Sequence, residues 1–162
     1  MSARAPHEAV VLLVEDKEDD VLLTQEAFAR AKIPNPLRVV NSGDEAIAYL
    51  QGRDEFADRA QFPVPDLVLL DINMPGGDGF TVLRWVRAHA GLKALRIVML
   101  TTSDESSDID SAYLLGANSY LVKPLDFDSY VRQMALAIGF WFENSKVPRL
   151  NRDRSGSNLL PE

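Results

Sequence analysis

Cysteine is absent from this 162-residue chain, which excludes a fold held together by disulfides and predicts a reducing compartment, the cytoplasm. Positive charge is also in deficit, with 17 Lys and Arg against 24 Asp and Glu and a net charge of −7. Such a surface repels the phosphates of nucleic acids, so no nucleic-acid partner is expected. No apolar run approaches the roughly 20 residues that span a bilayer, and residues 1–8 lack the apolar block of a signal peptide. No membrane partner is expected either.

What the sequence does contain is the composition of a globular domain, with 46% apolar and 25% charged residues. Five short runs rich in Val, Ile and Leu predict β-strands. Because these runs do not alternate with polar residues, we expect strands buried on both faces, as in a parallel sheet. The predicted strands cover residues 10–14, 37–40, 67–70, 97–100 and 120–122.

Helical patterns follow the strands, and each begins near a side chain that can accept a hydrogen bond from the first turn. The predicted N-caps are Asp19 or Asp20, Ser42 (with Glu45 three residues later), Asp78, Ser103 or Asp104, and Asp126, and the predicted C-terminal glycines are Gly52, Gly91 and Gly116. The chain thus repeats β-α five times. This repeat predicts an α/β fold, a doubly wound five-stranded parallel sheet with strand order 2-1-3-4-5.

A single domain is expected to cover residues 9–143, between an N-terminal tail at 1–8 and a partly disordered C-terminal extension at 144–162. Near its end the consecutive residues Phe140, Trp141 and Phe142 must point to different sides of a helix, so one core cannot cover all three. Either the tail folds back over the remainder or a second copy of the chain covers it, and we favour the second copy, which predicts a homodimer.

Polar residues follow the predicted strands at the edge of the sheet where open α/β folds bind ligands. Glu15 and Asp16 follow the first strand, Asp71 the third, Thr101 the fourth and Lys123 the fifth. The first and third strands are neighbours, so Asp16 and Asp71 should converge, and their repulsion requires a counter-charge. Mg²⁺, a hard cation with oxygen ligands, would supply it, and Mn²⁺ is possible. The set predicts phosphoryl transfer onto a carboxylate, with Asp71 as the nucleophile.

Together with Asn73-Met74-Pro75, Asp78-Gly79, Tyr120 and Lys123-Pro124, these residues resemble the receiver domain of two-component response regulators. The resemblance covers roughly residues 8–142 and implies a flavodoxin-like fold. It implies a phosphorelay signalling protein rather than an enzyme, whose chemistry is limited to its own phosphorylation and dephosphorylation. The expected partner is a sensor histidine kinase that supplies the phosphoryl group.

The resemblance also implies a role for each matching residue. Asp71 would be the phosphoacceptor, and the metal ligands would be Asp16, Asp71, the backbone carbonyl of Asn73 and, through a water, Glu15. Thr101 and Lys123 would contact the phosphoryl group, Thr101 and Tyr120 would form the switch, and Asn73 and Ser103 would tune dephosphorylation. The Lys123–Pro124 peptide bond is expected to be cis.

A narrower resemblance is to the small regulators paired with bacterial phytochrome kinases, which stand alone without an output domain and commonly form homodimers. It is carried by the long connection at 52–65, by residues 100–103 and 117–120, and by the aromatic ending. It implies a phytochrome-type kinase as the partner and a dimer interface that includes Phe140, Trp141 and Phe142.

Three other functions fit part of the sequence. A small Mg²⁺-dependent aspartyl-phosphate phosphohydrolase generally carries a second acid two residues after the nucleophile, where this chain has Asn73. A receiver-like scaffold that is never phosphorylated would not need Asp16, Asp71 and Lys123 together. A receiver cut from a transcription factor would be followed by a DNA-binding domain, for which the C-terminal extension is too short.

Overall fold

Five parallel strands form one sheet in the computed structural model, which describes residues 4–74 and 78–144. The strands are β1 (Val11–Val14), β2 (Leu37–Val40), β3 (Leu67–Leu70), β4 (Arg96–Thr101) and β5 (Ser119–Val122). Their order is β2-β1-β3-β4-β5, which confirms the prediction. Val11 at the start of β1 pairs with Leu37 on one side and Leu67 on the other, so the three strands end at the same edge.

Helices cover both faces of the sheet. They are α1 (Glu18–Arg30), α2 (Gly43–Gln51), α3 (Gly79–Ala88), α4 (Ser106–Leu114) and α5 (Phe127–Ile138). α1 and α5 pack on one face, where Val11 and Leu13 point, and the other three helices pack on the opposite face, where Leu12 and Val14 point. Every residue of β1 and β3 is therefore buried, which explains their uninterrupted apolar runs. Within the described residues, no helix has the length and apolar character needed to cross a membrane.

Three of the predicted helix N-caps are confirmed. The Ser42 hydroxyl accepts a hydrogen bond from the backbone nitrogen of Glu45 at 3.1 Å, and the carboxylates of Asp78 and Asp126 accept equivalent bonds in the first turns of α3 and α5. At α1 the prediction is wrong, because the helix begins at Glu18 and Asp19 and Asp20 lie inside its first turn. There the acidic side chains stabilise the positive end of the helix dipole instead of capping it.

At α4 the predicted cap is also wrong. The residue before the helix is Glu105, whose side chain makes no capping bond, and Ser103 and Asp104 lie further upstream. The Ser103 hydroxyl instead donates a hydrogen bond to the carboxylate of Asp108, at 2.6 Å. This bond ties the loop before α4 to the first turn of the helix.

Two of the three predicted C-terminal glycines are confirmed by positive φ angles, 69° at Gly52 and 102° at Gly116. Gly91 does not end α3, which stops at the residue before His89. The ring of His89 stacks on Trp85 with centroids 3.9 Å apart, and its Nδ1 lies 2.6 Å from the Trp85 carbonyl oxygen. The His89 side chain thus contacts a carbonyl group of the last turn, at the point where the helix ends before the glycine is reached.

The long connection after α2 is an ordered part of the core. Phe56 and Phe62 pack on Tyr49, with ring centroids 5.1 and 6.0 Å away. The Arg59 guanidinium donates hydrogen bonds to the carbonyl oxygens of Tyr49 and Leu50, at 2.7 and 2.8 Å, which lie in the last turn of α2. The connection therefore caps the helix and extends the hydrophobic core.

The aromatic ending follows α5 as a π-helical turn, Gly139–Asn144. The rings of Phe140 and Trp141 pack edge to face, with centroids 4.8 Å apart, and the three side chains differ in burial. Phe142 is 5% exposed and lies in the core of its own chain, so it is not free to pack on a second copy. Trp141 is half-buried below the guanidinium of Arg96, at 5.0 Å, and only Phe140 is largely exposed, at 54%. The predicted extension lies outside the described residues from 145 onward.

Gly79, the first residue of α3, lies against the backbone that follows β3. The backbone nitrogen of Gly79 donates a hydrogen bond to the Ile72 carbonyl at 2.9 Å, and a Cβ at Gly79 would overlap the carbonyl oxygen of Asp71. Gly79→Ala should therefore lower the free energy of unfolding by about 1–3 kcal/mol, measured by urea denaturation. Gly139→Ala is the matched control, because its nearest neighbour to a new Cβ is a flexible carboxylate at 3.8 Å. Equal stability of the two variants would contradict the close approach.

Candidate functional site

Three carboxylates converge where β1 and β3 end side by side. Glu15 and Asp16 follow β1, Asp71 follows β3, and one oxygen from each lies within 4.8 Å of the others. Glu15 is 1% exposed and Asp71 7%, whereas Asp16 is half-buried. The strand register brings these groups together, as the sequence predicted from the order of the strands.

One ammonium group compensates part of this charge. Nζ of Lys123, which follows β5, lies 2.6 Å from Oε1 of Glu15 and 3.7 Å from Oδ2 of Asp20. Burial raises the pKa of Glu15 to about 7, against the opposing effect of Lys123. The pKa of Lys123 is above its ordinary value. Burial by itself would lower this pKa, but the hydrogen bond to Glu15 and the negative charge of the nearby carboxylates have the larger combined effect. Lys123 therefore stays charged.

The donor set fits a divalent cation. Oδ1 of Asp16 is buried and makes no hydrogen bond to any described residue. Asp71 Oδ1, in contrast, accepts one from the Ile72 backbone nitrogen at 2.8 Å, and Glu15 Oε2 accepts one from the Asp16 backbone nitrogen at 3.0 Å. A buried carboxylate oxygen without a partner is costly unless a cation compensates it. Carboxylate oxygens are the ligands that Mg²⁺ and Mn²⁺ prefer. Asn73, the other predicted ligand, lies exposed two residues after Asp71, and its role stays a prediction.

The end of β4 contributes a hydroxyl to the same edge. Thr101 is 1% exposed, and its Oγ1 accepts a 3.4 Å hydrogen bond from the backbone nitrogen of Ser103. The Tyr120 hydroxyl donates to the Ser103 carbonyl at 2.9 Å, and its half-buried ring packs against the core. Burial raises the Tyr120 pKa, so the phenol remains a hydrogen-bond donor. Ser103 thus lies between the two predicted switch residues.

The structure adds two residues that the sequence did not assign to the site. Asp20 lies in the first turn of α1, near Lys123, and the run of acidic residues that opens this helix is the sequence signal that could have indicated it. The second residue is Asp108, whose carboxylate accepts the hydrogen bond of the Ser103 hydroxyl. The sequence did not indicate this contact, because it depends on the residue at which α4 begins.

One expectation about the backbone is wrong: all described peptide bonds are trans, including Lys123–Pro124. Even before proline the trans form is favoured by about 0.5–1 kcal/mol.

Taken together, these groups suit phosphoryl transfer to an aspartate. Asp71 offers a carboxylate oxygen as nucleophile, and Lys123 and Thr101 offer donors for the oxygens of the incoming group. Position 73, where aspartyl-phosphate hydrolases generally carry a second acid, holds an asparagine. The asparagine at this position therefore favours a phosphoacceptor over a hydrolase of this kind.

The response regulator receiver domain family matches residues 11–135 of the chain. Response regulator Rcp1 of Synechocystis is 34% identical over 148 residues, which cover 91% of this chain and 99% of Rcp1. Among solved structures, response regulator RPA3017 in red light signaling of R. palustris is 40% identical, with a TM-score of 0.83 over 87% of this chain and 99% of that one. The phosphorylated cyanobacterial phytochrome response regulator RcpA is 34% identical, with a TM-score of 0.80 over 88% and 99% of the two chains.

A further structure similar to this chain is the Mn²⁺-bound form of Rcp1, at 34% identity and a TM-score of 0.77 over 87% of this chain and 99% of that one. A relative with a divalent metal agrees with the acidic cluster at Glu15, Asp16 and Asp71. The relatives named here are signalling proteins.

Asp16→Ala removes the unpartnered oxygen and should weaken binding of Mg²⁺ or Mn²⁺ by at least about tenfold, measured by calorimetry on the isolated protein. No hydrogen bond to that oxygen is lost and repulsion with Asp71 is relieved, so the melting temperature should not fall. Asp110→Ala, which removes an exposed acid on α4, should leave metal affinity unchanged. An Asp16→Ala titration that matches the parent would contradict the assignment.

Proposed function

The chain belongs to the response regulator receiver domain family, and from that premise we propose that it accepts a phosphoryl group on Asp71 in the cytoplasm and thereby changes its affinity for a partner. One observation carries the proposal. The carboxylates of Glu15, Asp16 and Asp71 converge at the edge of the sheet where β1 and β3 end, and the ammonium of Lys123 contacts Glu15 there. Bringing these negative charges together is costly, and a receiver-like scaffold that is never phosphorylated would gain nothing from that cost.

Asp16, Asp71 and the Asn73 carbonyl would hold Mg²⁺ directly, and Glu15 through a water. The Mn²⁺ bound to Rcp1 supports Mn²⁺ as a substitute. When bound, the cation supplies positive charge against the oxygens of the transferred group. The orphaned oxygen of Asp16 is the feature of this chain that best supports the assignment.

In the transfer, a carboxylate oxygen of Asp71 forms a bond to phosphorus while the bond from phosphorus to the donor breaks. The donor is the phosphohistidine of a kinase, whose ring nitrogen keeps the electron pair and takes up a proton. Lys123 and Thr101 would bind phosphoryl oxygens, and movement of Thr101 toward them would shift Tyr120, to which it is linked through Ser103. Asn73 lies two residues after Asp71, and Ser103 lies two residues after Thr101. These two side chains would tune the rate at which phosphorylated Asp71 is later hydrolysed.

The kinase would be a sensor histidine kinase of the phytochrome type. Support comes from the relatives: RPA3017 acts in red light signaling, and RcpA is a phytochrome response regulator, each aligned over 99% of its length. The input to this chain would then be light.

Asp71→Asn should abolish phosphorylation by acetyl phosphate and Mg²⁺, because an amide oxygen is a far weaker nucleophile than a carboxylate. The measurement is mobility on a phosphate-affinity gel, with hydroxylamine treatment to identify the acyl phosphate. Asp78→Asn is the matched control, since asparagine also caps a helix and Asp78 caps α3. Full labelling of Asp71→Asn would refute the proposed site, and loss of labelling in both variants would point to a folding defect.

A homodimer would use the end of α5 and the turn that follows it. Leu136 is 75% exposed and Phe140 54%, next to the half-buried Trp141, and this surface is what supports the proposal. Phe142 is omitted from the interface, because its own core covers it. A two-fold arrangement would place the same patch on both copies.

Covering one such side chain is worth about 1.5–3 kcal/mol, so Phe140→Ser should weaken dimerisation by roughly tenfold or more. Trp141→Ala should act in the same direction. Leu22→Ser is the matched control: Leu22 lies on α1 with a similar exposure of 55%, and its substitution should leave the molar mass of the protein in solution unchanged. The measurement is light scattering over a range of concentrations, with and without a phosphoryl mimic. A parent protein that stays monomeric throughout would end the idea.

A further inference from the structure

Ser103 joins the loop after β4 to two elements through separate atoms. Its backbone carbonyl accepts the hydrogen bond of Tyr120 at 2.9 Å, and its hydroxyl donates to Oδ2 of Asp108 at 2.6 Å. Its backbone nitrogen lies 3.4 Å from Oγ1 of Thr101, at the end of β4. One residue thus connects the phosphoryl-contacting end of the sheet with the first turn of α4.

The bond to Asp108 occupies the only proton that the Ser103 hydroxyl can donate. The acceptor is a carboxylate, which makes the bond charge-assisted, and both side chains are half-buried, so water competes for it less than at an open surface. The hydroxyl also accepts a 3.3 Å bond from the backbone nitrogen of Glu105, which fixes the same orientation. While both contacts hold, the hydroxyl points toward α4.

We propose that Asp108 is a positioning residue that lengthens the life of phosphorylated Asp71 by keeping the Ser103 hydroxyl turned toward α4. This inference rests on the proposed phosphorylation of Asp71. In the hydrolysis, a water oxygen forms a bond to phosphorus, the bond from phosphorus to the Asp71 oxygen breaks, and both water hydrogens leave with inorganic phosphate. A Ser103 hydroxyl released from Asp108 can rotate and hydrogen-bond that water, which orients it for attack.

The test follows the decay of the parent protein after labelling with acetyl phosphate and Mg²⁺ and removal of the donor. Asp108→Ala should decay roughly threefold to tenfold faster, a change of about 0.7–1.4 kcal/mol in the barrier, which lies within the range by which residues of one hydrogen-bond network couple. Asp108→Gln, whose longer side chain misplaces the acceptor, should also decay faster and provides a second variant. Asp108→Asn keeps an oxygen that can accept the Ser103 proton, although in a weaker neutral bond, and should bring the decay back toward that of the parent.

Two controls distinguish the proposed positioning role of Asp108 from an effect of its negative charge and from an effect on the stability of α4. Asp110→Ala removes an exposed acid from the same helix and should decay like the parent. In a Ser103→Ala background, Asp108→Ala should have no further effect, since Asp108 acts through the missing hydroxyl. An Asp108→Ala effect that persists undiminished in that background would overturn the proposal.

The outcomes also distinguish this inference from the function on which it rests. A parent protein that takes no label on Asp71 would overturn the proposed function and this inference together. A parent that is labelled normally, with Asp108→Ala decaying at the same rate, would overturn the role of Asp108 alone. Faster decay of Asp108→Ala, restored by Asp108→Asn and absent without Ser103, would establish it.

Discussion

Oxygens of Glu15, Asp16 and Asp71 lie within 4.8 Å of one another, and among the described residues the ammonium of Lys123 is the one seen to pair with this cluster. Repulsion between these carboxylates would move them apart if their backbone were flexible. They are held in place because they follow β1 and β3, two paired strands that are buried on both faces. The core therefore holds negative charge together at a cost that a cation can offset. The suitability of this cluster for a cation and its contact with Lys123 both follow from that one constraint.

The same edge of the sheet is linked to a surface. Thr101 contacts Ser103, and Ser103 contacts both Tyr120 and Asp108, so a shift at the end of β4 must change either the tyrosine or the start of α4. These contacts are few and local, and they involve half-buried side chains. That is the kind of element that can hold two arrangements of similar free energy, which a charge added at Asp71 could bias.

The sequence predicted the fold and the acidic cluster well but predicted local boundaries less well. Strand order and the convergence of Asp16 with Asp71 were correct, because both depend on long apolar runs and on the rules that connect parallel strands. The N-terminus of α1 and the end of α3 were wrong, because helix-dipole charges and the stacked ring of His89 replaced the expected caps. Such alternatives differ by about 1 kcal/mol, which neighbouring contacts easily override.

The sequence by itself determined the α/β architecture and the residues that meet at the strand ends, since periodicity and chain order are enough to place them. Only the tertiary structure decided which groups are paired. Lys123 forms an ion pair with Glu15, one oxygen of Asp16 has no hydrogen-bond partner in the part of the chain that the structure describes, and Phe142 is covered by its own chain. The reason is physical. Pairing and burial depend on distances of a few tenths of an ångström between groups far apart in the chain, and local pattern carries no information about such distances.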